Sequence, residues 1–256
     1  MHYIESGTGP PLVLLHAFPV DARMWRGVRA ELEEHCRVIT PDQRGLGRSP
    51  LDGSAAPSLE LVADDLLALL DRLELPRVRL GGCSMGGYVA MSVLRKAPER
   101  VAGLVLTSTR ADADGAQQRE NRLRTAERAE SEGTAGWLAE NNLSGLLGET
   151  TLRQRTDVVD EARGLIEEQP PDGVAWAQRA MAARRDSFDV LRDYAGPALV
   201  LRGAEDGLTP SEPVRDMAVS LPNGRLVSLP GAGHLAPLET PAGFAGELRE
   251  WLAETG

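Results

Sequence analysis

The chain has 256 residues, 42% of them hydrophobic and 26% charged, which suits one substantial globular domain with room for an insertion. Its formal net charge of −10 argues against nucleic acid or an anionic membrane surface as partner. Cys36 and Cys83 make no disulfide framework, no apolar run approaches the ~20 residues of a membrane span, and Met1 to Glu5 lack the basic and apolar regions of a signal peptide, so a soluble cytoplasmic protein is expected.

In chain order, residues 2–6 predict a short strand and Gly7-Thr8-Gly9-Pro10-Pro11 a turn. Leu12 to Leu15 is a continuous apolar run, the pattern of a strand buried on both faces, and it ends in His16-Ala17-Phe18-Pro19. Residues 22–34 predict an amphipathic helix with Asp21 as its N-cap. A strand follows at Arg37 to Thr40, then the turn-rich run from Asp42 to Ser49. Ser58 caps a helix whose apolar positions, from Leu61 to Leu73, keep helical spacing. The strand Arg77 to Leu80 then enters the turn Gly81-Gly82-Cys83-Ser84-Met85-Gly86-Gly87, and a helix over 88–96 leads out of it. Val101 to Leu106 predicts another buried strand. Short apolar strands alternating with helices predict an α/β fold with a mostly parallel sheet covered on both faces.

Residues 112–186 differ. They carry no buried-strand pattern, and helices are predicted near 115–132, 134–143, 150–168 and 173–185. This segment reads as a helical insertion into a sheet domain made of residues 1–111 and 187–256. The sheet pattern resumes at Pro197 to Leu201, which ends in Arg202-Gly203-Ala204-Glu205-Asp206. A helix near 211–220, a strand at Arg225 to Leu229, the turn Pro230-Gly231-Ala232-Gly233-His234 and a helix over 241–253 complete the chain.

The chemistry-bearing residues fall at strand ends, where open α/β sheets build their sites. Ser84 has glycine two residues before and two after it, at a turn sharp enough to force positive φ and to expose its hydroxyl at a helix N-terminus. A serine that attacks carbonyl carbon needs an imidazole, a carboxylate to orient it, and N–H donors for the oxyanion. His2 lies in the first strand, His35 ends a surface helix, and His16 suits a structural role, which leaves His234 as the base. Asp206 is the favoured carboxylate, with Glu205 and Asp112 as competitors. Glu33-Glu34-His35-Cys36 matches no zinc-ligand spacing, and no metal site is expected. Among the larger apolar side chains, Phe18, Trp137, Leu143, Trp176 and Leu235 are the candidates to line a substrate pocket.

As an ordered set, His16-Ala17-Phe18-Pro19, Asp42 to Ser49, Gly82 to Gly87, Gly203 to Asp206 and Gly233-His234 closely resemble the landmarks of the α/β-hydrolase superfamily, over about residues 3–111 and 187–254. The resemblance implies Ser84 as nucleophile, His234 as general base and acid, and Asp206 as its orienter. It also implies an oxyanion hole from the backbone N–H groups of Phe18 and Met85, with residues 112–186 as a helical cap. Two features depart from the family pattern: His16-Ala17 stands where His-Gly is usual, and the short N-terminus leaves room for one strand before Leu12, giving about seven strands. Within the superfamily the chain resembles small bacterial carboxylesterases and 3-oxoadipate enol-lactonase-like hydrolases. That implies a cofactor-free serine hydrolase of a small or medium ester or lactone, as a monomer or small homo-oligomer. Perhydrolysis of the haloperoxidase type and carbon–carbon lysis use the same triad and remain open, as does a non-enzymatic small-molecule receptor on this fold.

Overall fold

A computed structural model describes residues 1–51 and 56–255; residues 52–55 and residue 256, which fall in the expected 1–111 and 187–256 segments, lie outside the described residues. The elements run β1 (Tyr3–Ser6), β2 (Pro11–Leu15), a 3-10 turn (Ala22–Trp25) continuing into α1 (Arg26–Leu32), β3 (Arg37–Pro41), α2 (Leu59–Arg72), β4 (Val78–Cys83), α3 (Met85–Lys96) and β5 (Val101–Thr107). Then come α4 (Ala116–Glu132), α5 (Trp137–Leu146), α6 (Glu149–Gln154), α7 (Thr156–Glu167), α8 (Pro171–Ala182) and α9 (Phe188–Asp193). The chain closes with β6 (Ala198–Gly203), α10 (Ser211–Ser220), β7 (Gly224–Leu229), α11 (Ala236–Glu239) and α12 (Pro241–Glu254).

Among the described residues seven strands form one sheet in the order β1-β3-β2-β4-β5-β6-β7, with only β1 antiparallel to its neighbour. Leu12, Val13, Leu14 and Leu15 are fully buried, as the unbroken apolar run requires of a central parallel strand. Edge strand β7 instead alternates exposed and half-buried residues. Helices flank the sheet, α1 packing on α12 and α2 on α3. Asp21 and Ser58 cap their helices as expected, accepting from the N–H of Arg23 and Glu60.

The strand order places a topological switch between β2 and β4. From β2 the chain moves outward to β3, then returns to the other side of β2 for β4. The loops leaving these two parallel strands diverge and open a crevice at their C-terminal ends. Residues 16–19 leave β2 there, and Ser84 leaves β4 there.

Helices α4–α9 are inserted between β5 and β6; α4–α8 form the helical cap, and α9 packs on α3 and α10 of the sheet domain. The helix expected over 150–168 is two helices, broken at Arg155 (φ −127°, ψ 67°). Tertiary contacts accompany the break: Thr150 donates from its N–H and hydroxyl to Glu205, and Thr151 donates to Glu239, so α6 is pinned to the sheet domain by its own first turn. The turn at Ser84 is also tighter than expected, since β4 runs through both glycines to Cys83 and α3 begins at Met85.

Asp42 ties the N-terminal elements together behind the crevice. Only 3% exposed, its carboxylate accepts from the N–H groups of Ala22 and Arg48 and meets His2 Nδ1 at 2.7 Å. Asp42→Ala leaves the buried Ala22 N–H without an acceptor, at about 1–3 kcal/mol, and takes a partner from the more exposed Arg48 N–H and His2 ring. Urea unfolding of the variant is expected to give a stability about 1–3 kcal/mol below wild type, with an unchanged m-value.

Candidate active site

Ser84 is the single residue between β4 and α3, held at φ 53° and ψ −113°. A side-chain-bearing residue in such a region costs of order 1–3 kcal/mol, so its surroundings must impose it. They do. Ser84 N–H donates to Thr107 O at 2.9 Å, and its carbonyl accepts from Gly87 N–H and the Thr109 hydroxyl. A Cβ on Gly82 would lie 2.1 Å from Gly86 O, and one on Gly86 would lie 2.3 Å from Leu15 O. The two flanking glycines are therefore what lets α3 close onto β4 and β2.

Met85 is the first residue of α3, where backbone N–H groups have no acceptor within the helix and the dipole is positive. Phe18 approaches from the loop after β2. That loop is braced by His16, which is fully buried. The N–H of Gln43 donates to His16 Nε2 at 2.9 Å, so the ring proton sits on Nδ1 and is donated to Ala17 O at 2.8 Å. Burial lowers the His16 pKa and keeps the ring neutral. His2 lies against Asp42.

His234 follows β7 and Asp206 follows β6. Both Asp206 oxygens lie 3.1 Å from His234 Nδ1, and each of these residues is only 4% exposed. Asp206 Oδ1 also accepts from the N–H groups of Leu208 and Thr209, which fixes the carboxylate. The contact places the proton of a neutral ring on Nδ1 and leaves a lone pair on Nε2. Of the competing acids, Glu205 is turned to Thr150 and Asp112 to Arg110, so neither is the partner of His234. Cys83 is fully buried, and burial pushes its thiol well above the usual range; the thiol contacts His234 O at 3.6 Å. Among the described residues no group of three or more His, Cys, Asp or Glu is placed to hold a metal ion, and no helix is long and apolar enough to cross a membrane.

Ser84, His234 and Phe18 border one cavity of about 250 Å³, together with Thr209 and Leu208 from the Asp206 loop. Its size is just below the ~300–1,000 Å³ usual for drug-sized ligands, which favours a small molecule. The other pocket candidates lie elsewhere. Trp137 donates to Gly133 O and carries Arg128 over its ring at 4.3 Å. Leu143, Trp176 and Leu235 are spent in the core, at 5%, 6% and 0% exposure, because burial of large apolar groups is worth more there than at a wet cavity wall. Beside Leu146 and Met181, the cap contributes mainly polar groups: Asp114, Gln118, Arg122, Asn142 and Gln178. Spread over α4, α5, α8 and the segment before α4, they share no local sequence pattern.

Sequence reasoning also passed over Glu239. It is 1% exposed and accepts from Gly233 N–H, Gly148 N–H and the Thr151 hydroxyl, so it fastens the His234 loop to the cap. Burial raises its pKa above the ordinary value. The one available signal was an acid embedded in the apolar stretch Ala236-Pro237-Leu238.

Burial pushes the Asp206 pKa up, but the His234 contact and the Thr209 N–H outweigh it, and the net shift is downward from 3.8. A carboxylate with a depressed folded pKa contributes stability that is present above its unfolded pKa and is lost as pH falls through the folded one. Asp206→Asn is therefore expected to show a smaller loss of unfolding free energy than wild type on acidification below about pH 3.8, measured by urea titration at stepped pH. Identical pH dependence in the two proteins would remove the electrostatic role assigned to this pair.

Comparisons with known proteins give the family. A family model described as alpha/beta hydrolase fold matches residues 10–241. The chain is similar to a thermophilic esterase from Thermogutta terrifontis, with 42% identity, a TM-score of 0.96, and 99% of this chain and 93% of that one covered. It is also similar to the enol-lactonase from Burkholderia xenovorans LB400, with 26% identity, a TM-score of 0.89, and 98% and 96% covered. BpoC of Mycobacterium tuberculosis, which carries a provisional non-heme bromoperoxidase name, is 31% identical over 93% of this chain and 92% of its own. The chain belongs to the α/β-hydrolase family.

Proposed function

We propose that the protein is a serine hydrolase that cleaves a small carboxylic ester or lactone through an acyl-enzyme on Ser84. The observation that carries this reading is the convergence of Ser84 and the Asp206-paired His234 on one small cavity, with Ser84 held at positive φ on a helix N-terminus. The esterase and enol-lactonase relatives support the same chemistry.

In this mechanism the Ser84 hydroxyl attacks the carbonyl carbon and its proton passes to His234 Nε2. Asp206, ionised and fixed by backbone donors, holds the ring and stabilises the imidazolium that forms. The N–H groups of Phe18 and Met85 receive the oxyanion, and the dipole of α3 adds to that stabilisation. The imidazolium then protonates the leaving alkoxide. Water, activated by His234, releases the acyl group and regenerates Ser84. Cys83 takes no part, since its protonated thiol is no nucleophile. The working division is a core of residues 1–111 and 187–256 carrying the reacting groups, with 112–186 covering them. A cytoplasmic setting and a monomer or small homo-oligomer complete the proposal.

With 4-nitrophenyl butyrate as substrate, Ser84→Ala and His234→Gln are each expected to lower kcat by at least about 10³-fold while thermal unfolding stays within a few degrees of wild type. Full turnover by Ser84→Ala would refute the assignment. Peracid formation from acetate and peroxide that outpaces ester hydrolysis would favour the perhydrolase reading instead.

A further inference from the structure

The cavity has a charge pattern that hydrolysis of a plain ester does not require. Two arginines, Arg110 and Arg122, border it, against a single carboxylate, Asp114. The Asp114 side chain is 2% exposed and is shared by two guanidinium groups: Arg122 Nε and Arg184 Nη1 each lie 2.6 Å from one of its oxygens. Burial pushes its pKa up, but the two arginines outweigh that and hold it below the ordinary value, so it stays ionised. One negative charge thus faces two positive ones, and the cluster keeps a net positive charge. Arg110 is paired with Asp112 through Nε and Nη2.

Both cavity arginines keep donors in reserve. Arg122 uses Nε on Asp114 and Nη1 on Gln178 Oε1 at 3.2 Å and Met181 Sδ at 3.3 Å; among the described residues its Nη2 has no hydrogen-bond acceptor, and neither has Nη1 of Arg110. A guanidinium at the wall of a small cavity loses hydration when a ligand enters. A purely apolar chain would leave that loss uncompensated, whereas a carboxylate would match the planar donor fork. The chain as a whole carries −10, so its distant field does not draw anions in; recognition has to be local.

We propose that the substrate carries a free carboxylate in addition to its ester group, and that Arg122, seconded by Arg110, holds it. This rests on the hydrolase reading above and specifies its substrate class: half-esters of dicarboxylic acids. Arg122 is then a specificity-determining residue, while Arg184 and Asp114 set its orientation.

The test uses ethyl valerate and monoethyl glutarate, which differ only by methyl against carboxylate at the end of the acyl chain, with turnover followed by pH-stat. Wild type is expected to favour monoethyl glutarate in kcat/KM by about 10- to 100-fold, mainly through KM, the range of a charge-assisted hydrogen bond to a carboxylate. Arg122→Gln is expected to bring the ratio close to one. Equal kcat/KM for the two esters in wild type, with Ser84-dependent turnover of both, overturns the inference and leaves the hydrolase reading intact. A proportional loss of both activities in Arg122→Gln assigns the residue to cap packing and overturns it as well. Should Arg122→Gln fail to fold, the wild-type ratio and Arg110→Gln carry the test. Should wild type cleave neither ester, calorimetry of monoethyl glutarate on the Ser84→Ala protein decides: binding that Arg110→Gln weakens upholds the carboxylate site while hydrolysis fails, and no binding overturns the site.

Discussion

The close approach of α3 to the C-terminal ends of β2 and β4 is the constraint on which the site depends. It leaves no room for a Cβ at Gly82 or Gly86 and forces Ser84 to φ 53°. The strain is held by main-chain hydrogen bonds to Thr107 and Gly87 and by the Thr109 hydroxyl, all supplied by β5, the segment after it and α3 itself. A hydroxyl fixed in this way stands beside the first turn of a helix without any reorganisation of the backbone, and this preorganisation is what electrostatic stabilisation of an oxyanion needs.

The rest of the site is held in place at a small number of points. Asp206 is locked by two backbone donors before it meets His234, so the ring has one orientation available. The His234 loop is in turn sewn to the cap: Leu235 N–H donates to Leu146 O, and Glu239 bridges Gly233 to Gly148. Cap position and histidine position are therefore one mechanical unit. A cap that also supplies the polar cavity wall ties substrate choice to the same unit.

Much of this was legible in the sequence because the signals are local. The unbroken apolar run Leu12 to Leu15, the glycines around Ser84, and the glycine-rich turns holding Asp206 and His234 each encode a strand end within a few residues. The seven-strand count followed from the short N-terminus, and β1 alone runs antiparallel. What the sequence hid is tertiary. The break at Arg155 accompanies contacts to Glu205 and Glu239, which lie more than fifty residues downstream of the helix they pin. Trp137 and Trp176 read as pocket walls because they are large and apolar, yet size and apolarity are also what draw a side chain away from a wet cavity. The wall-forming Arg122, Asn142 and Gln178 sit on three helices, and only the packing of those helices brings them together.

Covalent capture tests the proposed role of Ser84 most directly. A fluorophosphonate incubated with the folded protein, followed by peptide mass spectrometry, is predicted to give one adduct, on the peptide containing Ser84, that is absent from Ser84→Ala and much slower to form in His234→Gln. A folded wild-type protein that takes no adduct, or takes it on another residue, would contradict the assignment of Ser84 as the nucleophile.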